Sequence, residues 1–448
     1  MLKKSLFAIC LLGSLGASPA LAVDLMEIYQ DAKQNDARYA AALAAYQARQ
    51  ERLPQARAGL LPNVNLDAGA DYNDIDVDYD SPTFNSGRRD YESYRYGVNL
   101  RQPIYRRQNM LAVDQAVVEV AQAATELDLA AQDLILRTAQ AYFDVLLARY
   151  NLRTERSQQT ALAQQLEQAK RNFVVGTATI TDQREAQARY DLTSARVLVA
   201  ENNLRVVKEA LQVLTGRPVG GELAGLRPEV DFTAPTPASM DAWVDQAYSS
   251  NLEILRARQS VEIAQTEVKR QSAGHQPTLD LIGSLSQDHQ GSSAFGVGSD
   301  TTAGVIGVEF NLPLYQGGAI SSRTREAVAL QQRSTDELEN TRREVAQSTR
   351  DAFLGVTSGI AQVSAFQQAV SSTQLQLEST KLGMEVGVRT QVDVLNAEGQ
   401  LSLARLDLAQ SVYNTLLSQL RLQASVGRLV EADLLNINNL LDTQSSGN

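Results

Sequence analysis

Long stretches of this chain carry apolar residues at alternating steps of three and four. This spacing runs through residues 113–134 and returns over 200–214, and heptad spacing of this kind is typical of packed helices. No proline interrupts this part of the chain, and its single glycine is Gly176. The pattern predicts two long helices, 107–173 and 180–216, that meet at one tight turn. The first would be roughly 100 Å long, at about 1.5 Å per residue.

Four shorter stretches alternate apolar and polar residues with a period of two, which predicts strands at about 62–79, 91–105, 277–287 and 303–315. A change of the apolar face near Asn73 indicates a bulge or a strand exit. Strands with one apolar and one polar face are typical of transmembrane β-strands. A soluble antiparallel sheet with one wet side is the alternative. Since four strands cannot close a barrel, a membrane form would need several subunits to pool their strands.

The two halves of the chain match each other at a nearly constant spacing, which indicates an internal duplication. The matching pairs are Gly59–Pro62 with Gly274–Pro277, Val98–Tyr105 with Val308–Tyr315, Gly176 with Gly387, and Gly216 with Gly427. We expect a first structural repeat at 23–216, with its long helical hairpin at 107–216. A second repeat is expected at 240–427, with its hairpin at 318–427.

Each repeat should begin with a helix that leads into its strands, at 24–59 and at 240–275. Pro54 lies inside the first of these and predicts a kink or an early stop. This helix and the return helix of a hairpin together have about the length of the long helix. The result is a cylinder of uniform height, with strands at one end and helical turns at the other. The segments 217–239, between the repeats, and 428–448, at the C-terminus, are expected to lie around the middle.

The N-terminus has the features of an export signal. Two lysines precede an apolar run, and Ala20-Leu21-Ala22 has the form of a signal-peptidase site. We therefore expect residues 1–22 to be a cleaved signal peptide. The single cysteine, Cys10, lies within it, so the mature protein would be exported without a lipid anchor. The net charge of -11 argues against a nucleic acid partner.

Several motifs in order along the chain resemble the outer membrane efflux protein family, the exit ducts of Gram-negative multidrug efflux and type I secretion. They are Phe173–Gly176, Thr179–Asp182, Gly274–Leu281, Leu312–Gly318, Gly387–Leu395 and Val426–Asn439. The resemblance implies an α+β membrane protein that forms a homotrimer. Three chains would give a 12-stranded transmembrane β-barrel in the outer membrane, continuous with a 12-helix α-barrel in the periplasm.

The resemblance also implies partners and a role. A periplasmic adaptor (membrane fusion) protein and an inner-membrane pump of RND, ABC or MFS type would pass drugs or proteins into the duct. The outer-membrane lipid would surround the barrel. Without the resemblance, a periplasmic coiled-coil scaffold with a small soluble sheet remains an alternative.

The two helical turns are the expected docking sites for the adaptor. By resemblance, the docking residues are Val175, Gly176 and Thr177 in the first turn and Val386, Gly387 and Val388 in the second. A glycine permits a tight reversal and a close approach of another backbone. A glycine that only ends a helix is the alternative interpretation.

The resemblance places a gate beside these turns. Asp393 would form a ring of three carboxylates that favours cations and could bind a metal ion, and Arg389 would be linked to Thr181 and Asp182. Two positions depart from the family pattern. Asn396 replaces a second carboxylate, and a residue that is tyrosine in the family corresponds to Met384; both changes predict a weaker closed state. The alternative is that Asp393 and Arg389 are ordinary solvated charges at a helix end.

No catalytic constellation is present in the sequence, and we expect neither a cofactor nor a resident metal. The chain has no Gly-x-Ser-x-Gly, no phosphate-binding loop and no His-Glu-x-x-His motif. His275 and His289 lie in dissimilar contexts, so they do not suggest a metal site. The sequence therefore predicts a channel rather than an enzyme.

Overall fold

The structure is a computed structural model that describes residues 22–80, 83, 86–227 and 230–442. Residues 1–21 of the expected signal peptide lie outside the described residues, as do residues 443–448 of the C-terminal segment. The described helices are α1 Leu25–Asn35, α2 Ala37–Gln50, α3 Arg52–Ala58, α4 Arg107–Val174, α5 Ile180–Thr215, α6 Met240–Ser250, α7 Leu252–Ser272, α8 Ala319–Glu385, α9 Gln391–Ser425 and α10 Glu431–Asn438. The described strands are β1 Asn63–Val77, β2 Gly87–Tyr105, β3 Gly225–Leu226, β4 Thr278–Gln290, β5 Ser299–Asn311 and β6 Leu441–Asp442.

The long helices are uninterrupted, as the heptad spacing predicts. Helix α4 has 68 residues and α8 has 67, and α5 and α9 return along them as antiparallel partners. At about 1.5 Å per residue each long helix measures roughly 100 Å. No helix in the described ranges carries an apolar segment long enough to cross a lipid bilayer.

The helices that lead into the strands are divided, contrary to the expectation of single helices at 24–59 and 240–275. The first is interrupted at Asp36 and Glu51 and the second at Asn251. Asp36 caps α2 by accepting a hydrogen bond from the backbone of Tyr39, and its carboxylate also pairs with Arg137 of α4 at 2.9 Å. Pro54 falls in the first turn of α3, where a proline costs no helical hydrogen bond.

The four long strands form one antiparallel sheet in the order β1-β2-β4-β5. The register between β1 and β2 runs without a shift from Asn63 opposite Arg101 to Val77 opposite Gly87. The bulge or strand exit expected near Asn73 is therefore wrong. Toward the turns, β2, β4 and β5 extend beyond their predicted ends, because polar cross-strand pairs continue the ladder, whereas β1 stops at Val77, short of its predicted end. In the second hairpin, His289 lies 2.5 Å from Asp300.

The two faces of this sheet differ in polarity. Aligned residues form apolar rows across all four strands, of which one is Val64, Leu100, Gly283 and Ile306. The neighbouring row on the other face is Asn65, Asn99, Ser284 and Val305. The period-two pattern of the sequence thus corresponds to one apolar and one mostly polar surface.

The main core lies at mid-height, where α1, α10 and the segment between the repeats pack on α4, α5 and α9. Tyr142 of α4 is fully buried there, and its hydroxyl donates a hydrogen bond to the backbone oxygen of Ala224 at 2.7 Å. Strands β3 and β6 pair beside it, so the C-terminal segment is tied to the inter-repeat segment. This belt holds the two hairpins together and leaves their turns free at the end remote from the sheet.

Candidate functional site at the hairpin tips

Both hairpins reverse through the same backbone turn. Gly176 and Gly387 have φ values of 76° and 81°, in the left-handed region that favours glycine. In the first turn, the backbone N–H groups of Thr177 and Ala178 donate to the Asn172 oxygen at 2.9 and 3.2 Å. A Cβ added to either tip glycine would meet no atom within 4 Å. The backbone conformation, and not local crowding within the chain, therefore requires glycine at both turns.

The second turn repeats this arrangement. The N–H groups of Val388 and Arg389 donate to the Gly383 oxygen at 2.9 and 3.0 Å. The six residues predicted for docking thus lie at the two turns. Apolar side chains are exposed there, with Val175 71% and Val388 75% accessible. Exposed apolar groups at a turn are available to a partner.

A capping box begins each returning helix. The Asp393 carboxylate accepts hydrogen bonds from the backbone N–H and the hydroxyl of Thr390, at 2.8 and 2.9 Å. Asp182 accepts the same pair of bonds from Thr179, both at 2.8 Å. Such a box satisfies backbone donors that the first helical turn leaves free. Both carboxylates therefore have a local structural role.

The same contacts keep these carboxylates ionised. The Thr390 backbone N–H, followed by its hydroxyl, holds the pKa of Asp393 below its ordinary value of 3.8, and the Arg389 guanidinium acts in the same direction. The Thr179 backbone and hydroxyl likewise lower the pKa of Asp182. Each tip thus presents a fixed negative charge at neutral pH.

The second tip gathers three of the five predicted gate residues around one cavity of about 300 Å³. Arg389, Asp393 and Asn396 line it together with polar residues of α8, among them Gln376 and Thr380. Met384 faces a different environment, since it packs against the buried cluster around Leu377 and Val394. Its thioether therefore contributes apolar packing at this tip.

Thr181 and Asp182 belong to the other hairpin. Within the described part of one chain, no hydrogen bond or ion pair joins either of them to Arg389; the bonds of Asp182 run to Thr179. The predicted link of Arg389 to Thr181 and Asp182 therefore stays a prediction, and so does the ring of Asp393.

Two features of the second tip were missed from the sequence. A Cβ added to Gly383 would come within 2.7 Å of Arg389 Cγ, so this glycine makes room for the arginine to lie against the end of α8. Lys381 and Glu398 form an ion pair at 3.0 Å between α8 and α9. Their opposite charges, on the two helices that flank the turn at Gly387, were the signal that the sequence offered for this pair.

Among the described residues, no group of three or more histidine, cysteine or acidic side chains is arranged to hold a metal ion. A metal at Asp393 would thus require carboxylates from more than one chain.

Comparison with known proteins gives a consistent result over nearly the whole chain. The family model described as outer membrane efflux protein matches residues 28–217 and 243–428, one segment in each half. Outer membrane protein TolC of Vibrio cholerae is 34% identical over 438 residues, covering 97% of each chain. Proteases secretion protein PrtF of Dickeya chrysanthemi is 30% identical over 429 residues, covering 95% of this chain and 92% of that protein.

Solved structures show the same fold. The Campylobacter jejuni CmeC outer membrane channel superimposes with a TM-score of 0.79 at 16% identity, covering 99% of this chain and 97% of that one. The outer membrane protein VceC of Vibrio cholerae gives 0.72 at 22% identity, covering 90% and 96%. The two matched segments, the full-length relatives and the shared fold establish that this chain belongs to the outer membrane efflux protein family.

Proposed function

We propose that three copies of this chain form an exit duct in the outer membrane, through which cargo leaves the periplasm. The observation that carries the proposal is the four-stranded sheet with two open edges. Among the described strands, β1 pairs only with β2 and β5 only with β4. Unpaired backbone groups at a sheet edge are costly in lipid, which makes closure necessary. Three sheets joined edge to edge give a closed barrel of 12 strands, above the practical minimum of about eight.

The apolar face of the sheet supports this arrangement. Leu66 and Ile306 are 75% and 83% accessible in the single chain, which is unusual for large aliphatic side chains of a soluble sheet. Facing lipid, they would lie in an apolar environment, while the polar face would line a water-filled interior. The export signal expected at 1–22 fits an outer-membrane location.

The helices continue the wall into the periplasm. Each chain has two hairpins of two helices each, so three chains would build an α-barrel of 12 helices. The mid-height belt would fasten the hairpins together, and their tips would be the free end of the duct. This geometry supports docking of a periplasmic adaptor at the exposed turns and closure of the duct nearby.

The proposed gate uses charges from both hairpins. Arg389 would join Thr181 and Asp182 when the tips are drawn together in the trimer, and three Asp393 carboxylates would face the axis. An arginine–carboxylate pair can be bidentate, so it would hold neighbouring tips in a defined arrangement. Because Asn396 is neutral, the ring would carry only the three charges of Asp393.

The proposed cargo and pump rest on the similarity to the family. Similar proteins include channels and proteins named for the secretion of proteases. We therefore propose drugs, proteins or both as cargo, delivered by an RND, ABC or MFS pump and its adaptor. The duct would be passive, with no catalytic step of its own. A deletion strain assayed for antibiotic sensitivity and, in parallel, for missing secreted proteins distinguishes the two cargo classes.

Conductance of the purified protein in planar lipid bilayers tests the proposal. We expect discrete channels that conduct weakly and prefer cations, because the closed tips restrict flow through a negatively charged end. Complete absence of channel activity, with the protein folded and inserted, would contradict the proposed function.

Adjacent residues on opposite sheet faces provide a matched control. Ile306→Arg places a charge in lipid, which costs roughly 2–4 kcal/mol at mid-membrane; Val305→Arg places the same charge on the polar face. We expect Ile306→Arg to insert poorly and Val305→Arg to insert like the unmodified chain, as measured by the fraction recovered in the outer membrane. Equal insertion of both would count against a lipid-facing sheet.

A further inference from the structure

A second cavity, unrelated to the gate, lies at mid-height under the segment that joins the repeats. It has a volume of about 1040 Å³ and lies between α4, α9 and that segment, with α8 at its side. Leu146 and Val412 line it from the main buried core, and Leu408 adds a partly buried apolar surface. The volume is at the upper end of the range for ligand pockets, roughly 300–1,000 Å³. An apolar body of considerable size would therefore fit.

Positive charge is concentrated around this apolar surface. The residues that line the cavity include four arginines and one acidic residue, namely Arg149, Arg153, Arg227, Arg405 and Glu222. The whole chain, in contrast, has 41 basic and 52 acidic residues. A net positive pocket in a net negative protein favours an anion as its occupant.

Most of this charge is not neutralised within the chain. Arg149 lies 3.9 Å from Glu222, at the long end of ion-pair distances, and Arg405 donates to the neutral amide of Gln374 at 3.0 Å. In the described ranges, no carboxylate forms an ion pair with Arg153, Arg227 or Arg405. The guanidinium groups thus retain donors for a ligand.

Two tyrosines add neutral donors. Tyr150 and Tyr413 line the cavity, and neither hydroxyl makes a hydrogen bond with another described residue. Burial raises the pKa of Tyr413 to about 12, against the opposing effect of Arg149. Burial also raises the pKa of Tyr150, opposed by Arg405 and then Arg153. Both phenols thus remain protonated beside the arginines, which is the state that donates to an oxyanion.

We propose that this cavity binds an amphiphilic anion, with an acidic head group on the arginines and tyrosines and an apolar body against Leu146, Leu408 and Val412. The anion would come from water and not from the membrane. Arg149 lies about 60 Å along α4 from the sheet, which is too far for a lipid that remains in the bilayer. A free long-chain carboxylate has the required chemistry.

Such a ligand would connect parts that belong to different hairpins. Arg153 is on α4 of the first hairpin, Arg405 is on α9 of the second, and Arg227 is on the segment between the repeats. An occupied site would therefore hold the hairpins and the belt in a fixed arrangement. This inference does not rest on the export function, since it concerns a binding site that is complete within one chain.

Photolabelling tests the site directly. The full-length protein, in lipid nanodiscs, is irradiated with a diazirine derivative of hexadecanoic acid, and the labelled peptides are mapped by mass spectrometry. We expect labels within 146–153 and 405–413, displaced by excess hexadecanoate but not by hexadecanol. Labels confined to the sheet, or displaced equally by the alcohol, would overturn the proposal.

Paired arginine variants sharpen this test. Arg153→Gln/Arg405→Gln should lower labelling of these peptides by about tenfold or more, because charge-assisted hydrogen bonds are lost. Arg325→Gln/Arg350→Gln, which changes two exposed arginines of α8 away from the cavity, should leave it unchanged. Equal labelling of both variants would overturn the proposal. Should the first variant not fold, the displacement experiment on the unmodified chain decides alone.

The source of the anion is tested separately. A diazirine-bearing phosphatidylglycerol, built into the nanodisc, should label the sheet and not the cavity. Labelling of 146–153 by this phospholipid would contradict a water-borne ligand. An acidic peptide can be tested as a competitor in the same way. If it displaces the fatty acid label at a lower concentration than hexadecanoate does, the occupant is a protein segment and the proposal is overturned.

Discussion

The two hairpin tips share their backbone and differ in their charges. Each reverses through a glycine with positive φ, and each begins its returning helix with a threonine–aspartate capping box. The second tip alone adds an arginine directly after the turn, at Arg389, where the first tip has Ala178. The turn and the capping aspartate are therefore duplicated, whereas the arginine proposed for the gate is not.

The residues one turn into the returning helices extend this difference. Glu185 of α5 pairs with Arg189 at 2.6 Å, on its own helix. The corresponding residue of α9 is the neutral Asn396, which lines the cavity beside Asp393. Glu185 is thus paired within its own helix, whereas Asn396 lies beside Arg389, for which we propose a link to the other hairpin.

The largest effect is expected from the shared glycines. Gly176→Val and Gly387→Val should each abolish complementation of a deletion strain in an antibiotic-sensitivity assay. A β-branched residue cannot adopt positive φ without strain, so the turn and its docking surface would be distorted. Gly399→Ala is the control, since its added Cβ lies in a helix and meets only Gln158, at 3.6 Å. Full complementation by both valine variants would show that the turns do not take part in docking.

A smaller effect is expected where the tips differ. Arg389→Ala should raise the open fraction of single channels by roughly fivefold or more, because the proposed links between hairpins are lost. Arg171→Ala, at an exposed arginine near the first tip, should leave it unchanged. Single-channel recording measures both. An equal leak in the two variants would remove the distinction between the tips.

Gly383→Ala tests the support of this arginine. The added methyl group would contact Arg389 Cγ at 2.7 Å and displace the side chain, so we expect a leak in the same direction as that of Arg389→Ala, but smaller. Asn172→Ala changes the corresponding position of the first tip and should have no such effect. If Gly383→Ala closes as tightly as the unmodified channel, the position of Arg389 does not depend on this glycine.

The smallest expected effect is a loss of tip stability in acid, equal in both hairpins. The pKa values of Asp182 and Asp393 are lowered in the folded chain. Each carboxylate therefore stabilises its helix fully at any pH above the pKa that it has in the unfolded chain. That stabilisation is lost as the pH falls from about 4 through the lowered pKa. Hydrogen exchange of the first turns of α5 and α9, between pH 7 and 3, should show this. A loss of protection near pH 6 in either helix would contradict it.

Much of the architecture follows from sequence periodicity. The heptad spacing and the absence of proline give the long helices to within one or two residues, because a helix of that length is determined by local pattern. The divisions at Asp36 and Asn251 were missed, since they depend on contacts with distant residues. Asn251 donates to the Ser425 oxygen at 2.8 Å, as Asp36 pairs with Arg137. The spacing between these two positions equals that between Gly59 and Gly274, so the duplication itself contained a signal for both breaks.

The candidate site could be predicted from the sequence only in part. Turn residues are recognisable because glycine and the capping box have local sequence signatures. The position of Arg389 over Gly383 and the packing of Met384 depend on tertiary structure, and the ring of Asp393 depends on further chains. Sequence periodicity therefore locates the tips but does not determine their contacts.

A comparison of Asp393 with Asp182 provides the most direct test of the proposed gate. Asp393→Asn and Asp182→Asn remove one negative charge each from equivalent capping boxes, yet only the first removes the proposed ring of charge. In planar bilayers, Asp393→Asn should lose cation selectivity and block by multivalent cations, while Asp182→Asn retains both. Unchanged selectivity and block in Asp393→Asn, or an equal loss in both variants, would contradict a ring of charge formed by Asp393.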